Sequence, residues 1–447
     1  MGAGRRTRSV LLLGTIVLAG LMATGGGFGP WPVVGPATES SGLLRATAAG
    51  MPALPGHDWP TFLADNGRGS DNAGDNVLNV SNAHLIVNLW GATTHGTIAA
   101  SAAIVSHKAF VGSWDGNFTA YDLLTGAVYW QQFLGTSVYC PSQVSIGVSS
   151  SATVYNNTVY VGGGNGTYWA MNASTGKVAW VFQEGLSTKG YYSWSSPLVW
   201  KGNVYVGVAS LCDQPLVPGG LDELYASNGS VEHRFRTTVG AHLGGSIWSS
   251  PALDAATNTI YVTTGNPPNN NDGTNYTQAV IALNATTLAV TSYWHVPAAQ
   301  SIFDGDFGAT PTLFTDSTGR PLVGAVNKNG WFYALDRQNL SAGPVWERRV
   351  SHPSSIAPAA FAGGLLFIGT KQTKVGGVVA NGSIEAVTPG NGTIVWQDPL
   401  TGPDFAAPTA AYGLVVGGAG AGVSVVDAAN GGVVARVPCS NGGRSGG

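Results

Sequence analysis

The chain has 447 residues, and its 20 Lys and Arg against 23 Asp and Glu give a net charge of −3. That near-neutral balance supplies no electrostatic footprint for nucleic acid or an anionic membrane surface, which excludes both as partners of a folded domain. Charged residues make up only 10 % of the chain and Gly reaches 65 residues, against roughly 25 % charge in ordinary globular proteins, a profile that suits a turn-rich all-β protein.

In chain order, Arg5, Arg6 and Arg8 precede an apolar run from Val10 to Met22. A basic start, a short apolar stretch and small residues after it read as an export signal or N-terminal anchor over residues 1–23. The run is short of the roughly 20 residues that span a bilayer. Residues 24–56, rich in Gly, Pro and Ala, read as a linker. Cys140, Cys212 and Cys439 are widely spaced, with no CxxC and no CxxCH, so neither a zinc knuckle nor covalently attached haem is indicated.

From residue 98 a repeat of about fifty residues dominates. "SAAIVSHKAFVGSWDGNFTAYDLLTGAVYW" ends at Trp130, and "SSATVYNNTVYVGGGNGTYWAMNASTGKVAW" ends at Trp180. The pattern returns to Trp294, Trp346 and Trp396 and closes at Val437, making seven full units. Each unit holds four short alternating or β-branched runs separated by "DG", "NG" or "TG" turns, the signature of antiparallel strands. Four strands at this period form a propeller blade, so the expected fold is a single all-β propeller over residues 57–440 with a flexible tail at 441–447. The Trp ending most units is expected to pack between blades, as large aromatics bury their area. An extra segment around Trp90 lies upstream and is expected to help the termini close the ring.

The repeat resembles the pyrroloquinoline quinone (PQQ) propeller repeat of the quinoprotein alcohol dehydrogenases, most closely their polyvinyl-alcohol-dehydrogenase-like branch. The resemblance runs from about His57 to Val437 and implies eight blades. Residues between the repeats carry the family's site. In "GGSIWSSPALDAATNTIYVTTGNPPN", Trp248 stands where the family places the floor under the quinone, and Asn266 where it places a calcium ligand. A flat quinone needs an aromatic face, and a hard cation needs oxygen. In "SIFDGDFGATPTLF", counting nine residues back from Leu313 gives Asp304, which the resemblance makes the general base beside the calcium. Asp306 is explained as a polar residue in the turn into the strand.

In "VNKNGWFYALDR", Lys328 matches the cation that contacts the quinone oxygens, although Lys-Asn-Gly is also an ordinary hairpin turn. In "VYVGVASLCDQPLVPGG", Asp213 replaces the usual calcium-binding Glu, and Ser210 lies where the family has small residues near the cofactor. The adjacent cysteine pair of many members is absent, which leaves open a bridge from Cys140 to Cys212. The resemblance implies an exported enzyme, extracellular or periplasmic, that uses PQQ and calcium to oxidise a secondary alcohol or a polyvinyl-alcohol-like polymer. Without a haem motif, electrons would leave to a separate cytochrome or quinone. The competing expectation is a non-catalytic propeller acting as a scaffold or ligand-binding protein. A polymer- or sugar-binding propeller using Tyr191, Tyr192 and Trp194 is a third.

Overall fold

The structure, a computed structural model, describes residues 58–74, 77–139, 144–238, 243–268, 276–418 and 422–438. The export segment, the linker, Cys140, Cys439 and the tail lie outside the described residues. Seven four-stranded antiparallel sheets, here blades 1 to 7, span residues 103–133, 153–183, 198–236, 252–295, 312–349, 360–400 and 409–438. They coincide with the seven repeats. The first strands of neighbouring blades touch, placing them on the inside of the ring. Every blade carries a β-bulge between its third and fourth strands, which bends the outer strand and increases its twist.

The cores lie between blades. Phe110, Phe118 and Trp130 of blade 1 pack with Val159, Val161 and Met171 of blade 2, and similar clusters follow round the ring. Trp130 donates its indole N–H to Ala173 O, and Trp180, Trp346 and Trp396 make the same bond to the next blade. Each indole lies on a glycine of the receiving blade. Gly176 has φ of 70°, and a Cβ there would stand 2.7 Å from Trp130, so only glycine fits both the backbone and the contact.

The eighth blade expected from the resemblance is not present among the described residues. The corresponding place is taken by residues 77–90. Leu78 and Ala83 pack on Leu414, Val416 and Val425 of blade 7, and Trp90 bonds Leu123 O of blade 1 as a blade Trp would. This segment has one apolar face but lacks the alternating runs that would build a second strand beside it. No described strand of the N-terminal segment joins a C-terminal sheet.

Residues 59–72 have no counterpart in the repeat. They cross the interior of the ring and bond the first strand of every blade. Trp59 exchanges backbone bonds with Ile104 at 2.7 and 2.8 Å, and Val154 donates to Pro60. Asn66 Nδ2 reaches Val199 O at 3.0 Å. Leu253, Leu313, Phe361 and Ala410 donate in turn to Asn66, Gly67, Gly69 and Ser70. Leu63, Ala64, Arg68 and Ser70 adopt positive φ, a conformation that persists in non-glycine residues only where the surroundings enforce it. Arg68 is fully buried, its Nε donating to Pro251 O at 2.8 Å and its Nη1 to Phe62 O at 2.6 Å and Thr61 Oγ1 at 2.9 Å.

One buried carboxyl is at odds with the core around it. Asp404 stands four residues before Pro408, where the same position before Pro251 and Pro311 holds Ile247 and Phe307. It is completely buried, its Oδ1 accepts the Ala406 N–H at 3.2 Å, and its Oδ2 has no partner. Burial pushes its pKa up to about 8, with the Ala406 and Gly418 amides pulling the other way. The folded state therefore holds a proton that the unfolded chain releases near pH 4. Stability falls between pH 4 and 8, by roughly 1.4 kcal/mol per unit at most. The isosteric Asp404→Asn variant should match the parent at pH 4 and exceed it by about 3 kcal/mol or more at pH 8. Thermal melts at the two pH values check this, and an equal effect at both would refute it.

Candidate active site

The connections between second and third strands, and from each blade to the next, all lie at one end of the ring. Asp213 follows the second strand of blade 3, Asn203–Val208, and Asn266 follows that of blade 4, Thr259–Thr263. Lys328 sits in the turn after Pro321–Val326 of blade 5. Trp248 precedes the first strand of blade 4, Ala252–Asp254, and Asp304 and Asp306 precede that of blade 5, Thr312–Thr315. Residues separated by up to 115 positions thus converge by topology alone.

They form one bonded network. Asn266 Nδ2 donates to Asp213 Oδ2 at 3.0 Å and to Asp304 Oδ1 at 2.8 Å. Lys328 Nζ is 2.8 Å from Asp304 Oδ1 and 2.6 Å from Asp306 Oδ1. The Trp248 indole N–H donates to Asp306 Oδ2 at 2.9 Å, and Lys328 Nζ lies 4.9 Å from the Trp248 ring centroid. Gly308 lets the indole seat: a Cβ there would stand 2.3 Å from its edge. Asp304 has φ of 53° and a half-exposed side chain, while its neighbour Phe303 is 82 % exposed. The base candidate therefore sits at the mouth of the site.

Asp306 is buried, and burial raises its pKa to about 6, partly offset by Lys328 and reinforced by Asp304. Burial alone would lower the pKa of Lys328, but Asp306 and Asp304 outweigh it and raise it. Lys328 thus stays an ammonium ion; only 16 % of its side chain is exposed, and it is no solvated turn lysine.

Five of the six expected residues, Trp248, Asn266, Asp213, Asp304 and Lys328, meet in this network. Ser210 does not join them: its Oγ accepts the Val217 N–H at 2.9 Å and pairs with Ser246 Oγ, bracing the loop that carries Asp213. Cys212 is disulfide-bonded. Asp306 was explained from sequence as a turn residue, yet both its carboxylate contacts are to site side chains. The signal that could have found it is its flanking by apolar residues and glycines, where a turn Asp would be exposed. Of the three aromatics expected to serve a polymer- or sugar-binding face, Tyr192 is fully buried, while Tyr191 and Trp194 are partly exposed and the Trp194 indole N–H donates to Ser210 O at 3.0 Å.

The donor set suits a hard cation. Asn266 Oδ1 is buried with no partner, beside two carboxylates that share its Nδ2. A buried acceptor left unpaired is costly; exchanging the amide's two ends turns this oxygen toward the two carboxylates that now accept from Nδ2, an all-oxygen set that suits a cation. Trp248 with the ammonium above its face fits a flat anionic ring system.

Comparison with known proteins agrees with this architecture. The family profile described as "Outer membrane protein assembly factor BamB" matches residues 87–339, more than half of the chain. A polyvinylalcohol dehydrogenase of Sphingopyxis sp. (strain 113P3) is 28 % identical, over 36 % of this chain and 31 % of that protein, so the match spans about a third of the relative. The fold resembles a quinohemoprotein alcohol dehydrogenase from Comamonas testosteroni, with a TM-score of 0.72 at 18 % identity, covering 85 % of this chain and 73 % of that one. It also resembles a europium-containing methanol dehydrogenase, with a TM-score of 0.71 at 17 % identity and 86 % of both chains covered. Among the described residues no helix is long and apolar enough to cross a membrane. With its profile matched over most of the ring and its repeat present in all seven blades, the chain belongs to the PQQ-type β-propeller family.

Proposed function

We propose that the protein is an exported quinoprotein dehydrogenase that oxidises an alcohol with PQQ and calcium. The observation that carries this reading is the network joining Trp248, Lys328, Asp304, Asn266 and Asp213 at one end of the ring, with Asn266 Oδ1 buried and unpartnered. A scaffold has no need of an aromatic platform, a buried ammonium and an unpaired oxygen in one place. Bound PQQ would supply the hydride acceptor and the cation the Lewis acidity.

Each residue then has its own task. Trp248 provides the stacking face, with Ser210 bracing the loop beside it. Lys328 binds quinone oxygens or a carboxylate and stabilises negative charge as it develops. With its amide turned, Asn266 Oδ1 would hold the cation together with Asp213 and Asp304. Asp304 takes the alcohol proton: Asn266 Nδ2 and Lys328 Nζ both donate to its Oδ1, and Oδ2 is the oxygen that receives the proton. The relative named as acting on polyvinyl alcohol supports a secondary alcohol or polymer of that type as substrate. In this reading the electrons would go on to a cytochrome or quinone acceptor. The basic start and apolar run of residues 1–23 support export, with the protein extracellular, periplasmic or anchored to the outer face of the membrane.

The test is dye reduction by purified protein given PQQ, calcium and 2-butanol or polyvinyl alcohol, with europium in a parallel series. Turnover that requires both PQQ and a metal supports the reading. Absence of turnover together with absence of PQQ binding would favour the non-catalytic scaffold.

A further inference from the structure

We propose that Asp306 is a positioning residue of this site, which holds the Lys328 ammonium over the Trp248 platform. The inference rests on the quinone reading for its consequence, but the contact itself stands independently. Asp306 is 2 % exposed, too buried for a turn former. Its Oδ2 accepts the Trp248 indole N–H at 2.9 Å, and its Oδ1 takes the Lys328 ammonium at 2.6 Å. Its backbone carbonyl accepts the Lys328 N–H at 3.0 Å. One residue therefore fixes the platform, the cation and the turn that carries the cation.

The repeat itself shows that the fold does not need a carboxylate here. Counted back five residues from the residue before each blade's first strand (Pro311 in blade 5), the same position holds Thr97, Gly147, Tyr192, Ser246, Ser354 and Pro403 in blades 1, 2, 3, 4, 6 and 7. None is charged. Burying a carboxylate costs several kcal/mol unless it is paired, so its presence in blade 5 alone marks a local requirement. That requirement is met by Lys328, whose other partner, Asp304, is half-exposed. Without Asp306 the ammonium would pair with Asp304 alone at the mouth of the site, where solvent screens it.

The test uses Asp306→Asn, Lys328→Met and the double variant. Asparagine keeps an acceptor for the Trp248 indole and replaces the oxygen that faces Lys328 with an uncharged N–H donor. Acylation of Lys328 in the protein without PQQ, followed by mass spectrometry with the exposed Lys201 as internal control, reads whether the ammonium is released. We expect Asp306→Asn to accelerate it at least 10-fold. Isothermal titration with PQQ in saturating calcium should show affinity at least 10-fold weaker in Asp306→Asn, and within 2-fold of Lys328→Met when Asp306→Asn is added to that background. Calcium affinity without PQQ should stay within 3-fold. Unchanged Lys328 acylation, equal losses in both backgrounds, or a loss of calcium affinity would each overturn the positioning role, the last by making Asp306 a metal ligand. If the parent protein binds no PQQ while Asp306→Asn still frees Lys328, the quinone reading fails and the pinning contact survives.

Discussion

Asp304→Asn should lower alcohol turnover by about 10²–10⁴-fold while PQQ and metal remain bound, the range expected when a positioned general base is removed. The variant is a clean probe for three reasons. Asparagine tolerates the left-handed backbone that Asp304 adopts at φ of 53° better than other non-glycine residues do. It retains an oxygen that can accept from Asn266 Nδ2 and Lys328 Nζ, the two donors that now converge on Oδ1. What it loses is basicity, since an amide cannot take the proton from an alcohol; the lost ligand charge is offset by assaying at saturating metal, for which the amide oxygen remains a donor. Asp304 is also half-exposed, so no buried charge is stranded by its removal. Steady-state dye reduction gives kcat, and absorbance of the bound quinone verifies loading. Activity within 3-fold of the parent would remove Asp304 from the role of base and leave Asp213 as the remaining carboxylate outside the Asp306 contact.

The second large effect is on stability. Arg68→Met should cost about 4 kcal/mol and lower Tm by about 5 °C, because a guanidinium that ties three parts of the ring disappears. Arg68 bonds carbonyls of Pro251 and Phe62 and the hydroxyl of Thr61, and its Nη2 approaches Pro197 O. Burial lowers its pKa to about 10, with Asp65 opposing; at neutral pH it remains charged, its charge delocalised over donors that each find an oxygen. Methionine fills much of the volume and leaves those oxygens unsatisfied. Lysine should rescue poorly, for its single ammonium cannot reproduce the planar fork. Calorimetry decides between the outcomes. A Tm change under 2 °C would mean that residues 59–72 lie in the ring without holding it together.

Those two predictions fall on opposite sides of what the sequence makes legible. The blades could be read because their determinants are local: alternation within five or six residues, Asn-Gly and Asp-Gly turns, and an outer Trp such as Trp130 or Trp180 with its receiving glycine a blade later. The site residues could be named because insertions such as "TGNPPN" interrupt a regular repeat and resemble the family's site segments. The clasp at residues 59–72 carries no periodicity, and its partners stand up to 340 residues away, as Ser70 does from Ala410. Nothing in its composition announces that Arg68 will be buried.

Asp306 and Asp404 were hidden for a related reason. Their meaning depends on burial and on which side chains arrive from elsewhere in the chain, Lys328 and Trp248 in the first case and none in the second. The eighth blade was expected from family likeness, but residues 77–90 supply one apolar face and a single docking Trp in place of four alternating runs. Local pattern predicts elements well; it is silent on the few long-range contacts that turn a ring of blades into a site.

The central claim is that the ring end carrying Trp248, Lys328, Asn266 and Asp213 is a metal-dependent quinone site. Isothermal titration of the purified protein with PQQ, in the presence of calcium and again in chelator, tests it most directly. The account predicts one PQQ bound per chain with calcium, affinity at least 10-fold weaker in chelator, and loss of that calcium dependence in Asn266→Ala. Absence of PQQ binding under both conditions, or binding indifferent to calcium and to Asn266, would contradict it.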